Sequence, residues 1–342
     1  MKKVLVFLVM FLITVQADVI KKSQSTVEFA GMGTLEKSST TYLKGMTQLA
    51  IDDDHFKGKG FLGKMMGMAF PKGEKGKLIL LNKEKMIEID YEGKEYREMP
   101  IVNIFSQAGE TREEQEPEEN TSGDDHVKII KNEFTVHKTG KSEKIAGYTC
   151  DEYIIKWYYE AMNKEDNSHY AMVAEISSFN APEDATLRQV KEEETAFFKT
   201  YMEKLGLDKD LQSENMLGLN WFKLFSKLKQ SQKEGSAKGS PSISDEDLQK
   251  LKKMSGYPLK VSGTFKMKNF NQMESAKEEE DEVDISKGLG GFLGKKLMKK
   301  KEKKKSEDGF ETLFTFSNII HSVSTSTVPE DKLNIPASFR QK

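Results

Sequence analysis

Gly58-Lys59-Gly60-Phe61-Leu62-Gly63 satisfies G-x-G-x-x-G, and Gly58 to Lys64 also begins like a Walker A loop. Phosphate-binding loops of this kind need a strand before and a helix after them within a βαβ unit, and the Walker loop needs Ser or Thr after its lysine to hold magnesium. Met65 stands at that place, so nucleotide binding is not expected. Asp52, Asp53, Asp54 and His55 form a compact set of potential metal ligands. An EF-hand loop needs oxygen at its fifth position and Gly at its sixth, and Phe56 occupies the fifth; a solvated hairpin tip is the expectation. Cys150 is the single cysteine and cannot close an intrachain disulfide, which leaves a buried small hydrophobe or, given a nearby cation, a reactive thiol. A Cys150–His169 dyad is not required by the spacing. His126, His137 and His321 are dispersed, with no H-E-x-x-H, C-x-x-C or G-x-S-x-G. These features point to no catalytic residue, no metal and no cofactor: the chain is expected not to be an enzyme.

A second kind of chemistry is better represented. Gly60-Phe61-Leu62-Gly63-Lys64 recurs as Gly291-Phe292-Leu293-Gly294-Lys295. Around the first copy lie Met65, Met66, Met68 and Phe70 among lysines; around the second lie Lys296, Leu297 and Met298. Flexible apolar side chains flanked by bases suit an anionic membrane surface or an apolar partner. Phe61, Leu62, Lys64, Met65, Phe292, Leu293, Lys295 and Lys296 are the contact residues this predicts. The opposing expectation is two Gly-rich loops whose apolar residues fold back over the sheet ends, because glycine density disfavours a helix.

The elements around these residues are mostly strands. Asp18 to Ala50 is rich in Ser, Thr, Val, Leu and Tyr, punctuated by Gly31, Gly33 and Gly45. Strands are predicted at Leu78–Leu81, Met86–Tyr91, Tyr96–Ile101, Ile129–His137, Tyr148–Tyr159 and His169–Ser177, with Thr139-Gly140-Lys141 as a hairpin turn. At Pro182 the period changes. Leu187, Val190, Phe197, Phe198, Tyr201 and Leu205 share a helix face that Glu194 interrupts, and Pro182-Glu183-Asp184 makes a start. A second helix places Leu217, Trp221, Leu224, Phe225 and Leu228 on one stripe; a third begins at Ser244 and ends near Gly256. Strands return at Leu259–Met267, Phe310–Ser324 and Leu333–Phe339.

Strands that resume after a helical insertion imply one interrupted domain. The expected fold is therefore α+β: a curved antiparallel sheet covered by an inserted helical segment at 182–256, with charged loops at 109–126 and 275–308. Glu110 to Asp125 holds eight acids with one arginine, and Lys287 to Lys305 holds nine lysines with one Glu, a pattern of solvated segments. At 342 residues with 37% hydrophobic composition the chain can bury a real core, while its net charge of −2 argues against a nucleic-acid partner. Lys2 and Lys3, the apolar run Val4 to Val15 and Val15-Gln16-Ala17 read as a signal peptide over 1–17, with the cut expected after Ala17 and the periplasm or the extracellular space as the expected destination.

Gly147-Tyr148-Thr149-Cys150-Asp151-Glu152-Tyr153, together with Met86-Ile87-Glu88-Ile89-Asp90-Tyr91 through Lys94-Glu95-Tyr96, resembles an uncharacterised secreted bacterial family, a domain of unknown function that often carries Met/Gly-rich loops. The ending Val328-Pro329-Glu330-Asp331-Lys332-Leu333-Asn334-Ile335-Pro336 is similar to the last strand of that family and of the LolA/LolB-like periplasmic lipoprotein-carrier superfamily. The resemblance covers most of the β portion, with the helical segment the poor match. It implies a LolA-like open half-barrel wrapped around helices and the binding of lipid, lipoprotein or another apolar ligand. It carries over no catalytic residue. A non-enzymatic envelope scaffold that docks through its FLGK loops is the other function the sequence leaves open.

Overall fold

The computed structural model describes residues 17–69, 73–102, 127–164, 167–206, 245–270 and 308–342. The predicted signal peptide up to residue 16, the helix predicted around Trp221, the cap predicted at Ser244, the charged loops predicted at 109–126 and 275–308 (Asp308 excepted) and the second FLGK copy lie outside the described residues. One open sheet of twelve strands runs in the order β12-β6-β5-β4-β3-β2-β1-β11-β10-β9-β8-β7. Its strands are β1 Val19–Phe29, β2 Gly33–Lys44, β3 Thr47–Gly58, β4 Glu74–Leu80, β5 Lys85–Asp90, β6 Glu95–Pro100, β7 Val127–Ile145, β8 Tyr148–Asn163, β9 His169–Ala181, β10 Tyr257–Asn269, β11 Glu311–Ser324 and β12 Arg340–Gln341. All neighbours are antiparallel except β12, which pairs parallel with β6. The two halves of the sheet join where β11 returns to lie beside β1, and β12 and β7 remain its open edges.

Three helices are described: α1 Gly60–Ala69 between β3 and β4, and α2 Ala185–Lys204 and α3 Asp245–Leu251 between β9 and β10. Asp184 caps α2, its carboxylate accepting the Leu187 N–H at 2.8 Å. Leu187, Val190 and Phe197 are buried against Val19, Leu43, Ile79, Leu259 and Ile320. At its far end Lys204 reaches Glu84 in the β4–β5 turn at 2.7 Å. The helix therefore lies along one rim of the sheet, where β1 begins and β9 ends, while α1 lies at the opposite rim, where β3 ends.

Register explains how the faces divide. Phe134, Trp157, Ala174, Phe265, Phe314 and Phe29 are successive cross-strand partners, and so are Val136, Ile155, Ile176, Gly263, Phe316 and Val27. These two rows form an aromatic and aliphatic band on one face, to which α3 adds Leu251. Gly263 has a structural reason: a Cβ there would lie 2.6 Å from the Phe316 ring, so the glycine makes room for it. On the other face Leu49, Leu78, Ile87 and Ile89 form a separate cluster under Leu333, Ile335 and Phe339. Leu78 and Ile79 are thus both buried, on opposite faces of β4.

Several local expectations are corrected. Thr139-Gly140-Lys141 is a bulge inside β7, where the register slips between Lys138 and Ser142; the hairpin turns at Ala146 and Gly147, both at positive φ. The bulge is held by Glu152, whose carboxylate accepts from the Thr139 and Ser177 hydroxyls at 2.8 Å each. Leu333–Phe339 is not a strand: a 3-10 turn at Glu330–Leu333 leads into irregular chain that packs Phe339 edge-on against Tyr91, and only Arg340–Gln341 pairs.

Candidate functional sites

The first glycine-rich copy is helical. The expectation of a loop fails because its glycines are spent on close packing. A Cβ on Gly63 would sit 1.9 Å from the Met32 carbonyl oxygen, and one on Gly58 would sit 2.2 Å from the Gly63 carbonyl oxygen. With Gly60 at φ +67 the chain turns off β3 directly into α1. The Lys59 N–H donates to the Met32 carbonyl at 2.7 Å and the Gly63 N–H to the Lys59 carbonyl at 3.2 Å, so these donors are occupied. β3 and β4 on either side of the helix are antiparallel neighbours, which is not the parallel βαβ setting of a phosphate loop.

Four large hydrophobic residues are exposed among the described residues: Phe61 at 75%, Met65 at 46%, Ile129 at 53% and Ile130 at 45%. Phe61 and Met65 are one helical turn apart and share a side of α1. Lys64 lies beside them and is also exposed. Leu62 belongs to the same helix. Phe292, Leu293, Lys295 and Lys296 lie outside the described residues.

The acidic run is not a hairpin tip. Asp52 to His55 sits inside β3, where alternation turns neighbours to opposite faces. Lys37 pairs with Asp52 at 2.9 Å and with Asp54 at 3.5 Å, and His55 meets Asp53 at 3.1 Å. Among the described residues no group of three or more His, Cys, Asp or Glu converges as a metal site. Cys150 is fully buried, and burial pushes its thiol pKa up. His169 opens β9, opposite Met162, whereas Cys150 lies at the other end of β8. At ~3.3 Å per residue the two are about 40 Å apart along the strand. His169 instead meets Glu160 at 2.7 Å and stacks on Phe270 at 4.1 Å.

A buried charged group escaped the sequence reading. Glu194, the residue that interrupts the apolar face of α2, is ion-paired with Lys21 of β1 and accepts the Tyr257 hydroxyl of β10 at 2.8 Å. Their side chains keep 22% exposure at Lys21 and 11% at Glu194. Burial, the largest single influence, pulls the Lys21 pKa down, but Glu194 and Tyr257 outweigh it and leave it raised. Burial raises the Tyr257 pKa as well. A single sequence signal was available, the lone acid on an apolar stripe, but its partner lies 173 positions away.

A third arrangement borders the aromatic band. The next cross-strand row reads Tyr153, Ser178, Val261, Asn318, Ser25, Lys37 and Asp54. Ser25 donates its hydroxyl to Asn318 Oδ1 at 2.8 Å, and Ser178 donates to Asn180 Oδ1 at 2.6 Å. One face thus carries two apolar rows next to a mixed row whose polar members are Ser178, Asn318, Ser25, Lys37 and Asp54. No protein-family model, curated protein or solved structure matches this chain.

Proposed function

We propose that this chain is an exported, non-enzymatic carrier whose LolA-like sheet, lidded by the segment between β9 and β10, holds an amphiphile such as a lipid or the acyl chain of a lipoprotein. The observation that supports it is the juxtaposition on one face of two apolar rows with a row that carries Ser25, Lys37 and Asn318. An acyl chain lies along Trp157, Phe265 and Phe314, and its head group meets Ser25, Lys37 and Asn318. Burying such a chain is worth about 0.8 kcal/mol per methylene removed from water, so a long acyl chain supplies ample affinity. The resemblance to secreted and lipoprotein-carrier families agrees with this reading.

Trp157 provides the test. Its indole N–H donates to Asn132 Oδ1 at 2.8 Å and its ring belongs to the apolar band. With Trp221→Phe it becomes the sole tryptophan, because the chain has two. Acyl chains brominated along their length should quench its emission in a saturable way, and native mass spectrometry of the purified protein should show bound lipid. Failure of both removes the carrier reading.

A further inference from the structure

The four exposed hydrophobic residues occupy one rim. β3 ends at Gly58, opposite Gly33; Gly33 faces Phe29, the last residue of β1; Phe29 faces Phe314 near the start of β11. The same edge continues through Asn269 and Tyr170 to Met162 and His169, and then to Val127 opposite Asn163. Phe61 and Met65 on α1 and Ile129 and Ile130 on β7 therefore stand at the same end of the sheet, and α2 lies at the other. Seven strand spacings separate β3 from β7, which at ~4.8 Å each is about 34 Å along the sheet.

We infer that this rim is a docking surface for an anionic lipid bilayer. A small ligand does not bridge two apolar pairs so far apart, whereas a membrane offers a broad apolar layer beneath a charged plane. The cations match. Lys64 stands beside Phe61 and Met65, and Lys128 beside Ile129; both are exposed and neither makes an ion pair among the described residues. Each such lysine near an anionic surface adds a factor of about five to partitioning, and the apolar tips reach the acyl boundary. The inference concerns the outer rim and holds whether or not the sheet carries cargo.

Flotation of the full chain, leader removed, with phosphatidylcholine vesicles and with phosphatidylcholine–phosphatidylglycerol vesicles tests it. Binding should require the anionic lipid and weaken at high salt. Phe61→Ser with Met65→Ser, and separately Ile129→Ser with Ile130→Ser, should each lower partitioning at least fivefold; Lys64→Gln and Lys128→Gln should each lower it about fivefold. Circular dichroism of these surface variants should match the parent. Absence of flotation, flotation equal on both vesicle types, or flotation unchanged by both apolar double variants would overturn the proposal. A dimer by light scattering that the same substitutions dissolve, without vesicle binding, assigns the rim to a second copy instead.

Discussion

The Lys21–Glu194–Tyr257 group joins β1, α2 and β10, and its removal has a calculable cost. Glu194→Gln leaves the Lys21 ammonium without its counter-charge in a site where the lysine keeps 22% exposure. Breaking a buried pair in this way costs ~3–5 kcal/mol, and the residual access to water places this case near ~3. An unfolding entropy of ~2.1 cal/mol/K per residue makes each kcal/mol worth about 1.5 °C here, so Tm should fall by about 5 °C. Lys21→Met should cost a similar amount by stranding the carboxylate. The double variant Lys21→Met with Glu194→Leu replaces the pair by apolar groups and should return to within about 1 kcal/mol of the parent. A double-mutant cycle in urea, closed with Glu194→Leu as the second single variant because it strands Lys21 as Glu194→Gln does, therefore yields a coupling of roughly 5 kcal/mol. The pH dependence has a definite sign. Lys21 and Tyr257 both have folded pKa values raised above their unfolded ones, so their stabilisation is complete below about pH 10 and declines as pH rises beyond it. The double variant should lose the Lys21 part of that decline. A coupling under about 0.5 kcal/mol, or an alkaline profile identical in parent and double variant, would refute the reasoning.

The remaining expectations concern single sites. Gly63→Ala forces a Cβ against the Met32 carbonyl, so the urea midpoint should drop by the equivalent of ~1–3 kcal/mol, and an unaffected midpoint would contradict the packing role of that glycine. Cys150 should resist a thiol reagent at pH 8 until the protein unfolds, because it is buried and its pKa is raised; stoichiometric labelling of native protein within minutes would show it to be accessible. Glu160 accepts from Tyr158 and meets His169, contacts that hold its carboxyl below its ordinary pKa. Its contribution is present above about pH 4.3 and lost as pH falls further, so Glu160→Gln should flatten the stability profile between roughly pH 5 and 3, and a parallel profile would count against it.

Local signals in the sequence located most elements, and what they missed has physical causes. Alternation in Met86–Tyr91 and the Pro182–Asp184 start of α2 are short-range signals, and strand β5 and helix α2 follow them closely. The Thr139-Gly140-Lys141 triplet has turn composition, yet Glu152 on the neighbouring strand captures Thr139 and turns the triplet into a bulge. The true turn uses Ala146 at φ 51, a conformation few would assign to alanine. α1 is hidden because glycine lowers helix propensity, whereas here glycine is what lets the first turn of the helix touch Met32 in the β1–β2 turn and Gly58 at the end of β3. Glu194 looked like a flaw on an apolar face because no local pattern can reveal Lys21. The FLGK chemistry was legible as composition; its alignment with Ile129 and Ile130 on one rim depends on the order of eight strands.

The carrier and docking proposals meet at that rim. Phe29 closes β1 and Phe314 lies near the start of β11, and both belong to the apolar band, so the band extends to the end of the sheet where α1 stands. At the opposite end α2 is fixed by an ion pair to β1 and by Lys204 to the β4–β5 turn. If an acyl chain leaves a bilayer for the sheet, the shortest apolar path crosses the α1 rim. Phe61→Ser with Met65→Ser should then slow uptake of brominated lipid from anionic vesicles, read as Trp157 quenching, by at least fivefold. The amount of lipid bound when it is supplied from detergent should stay unchanged, because the substitutions leave the band intact. Equal slowing from both sources would place Phe61 and Met65 in the lipid site itself, and equal rates from vesicles would show that cargo enters elsewhere.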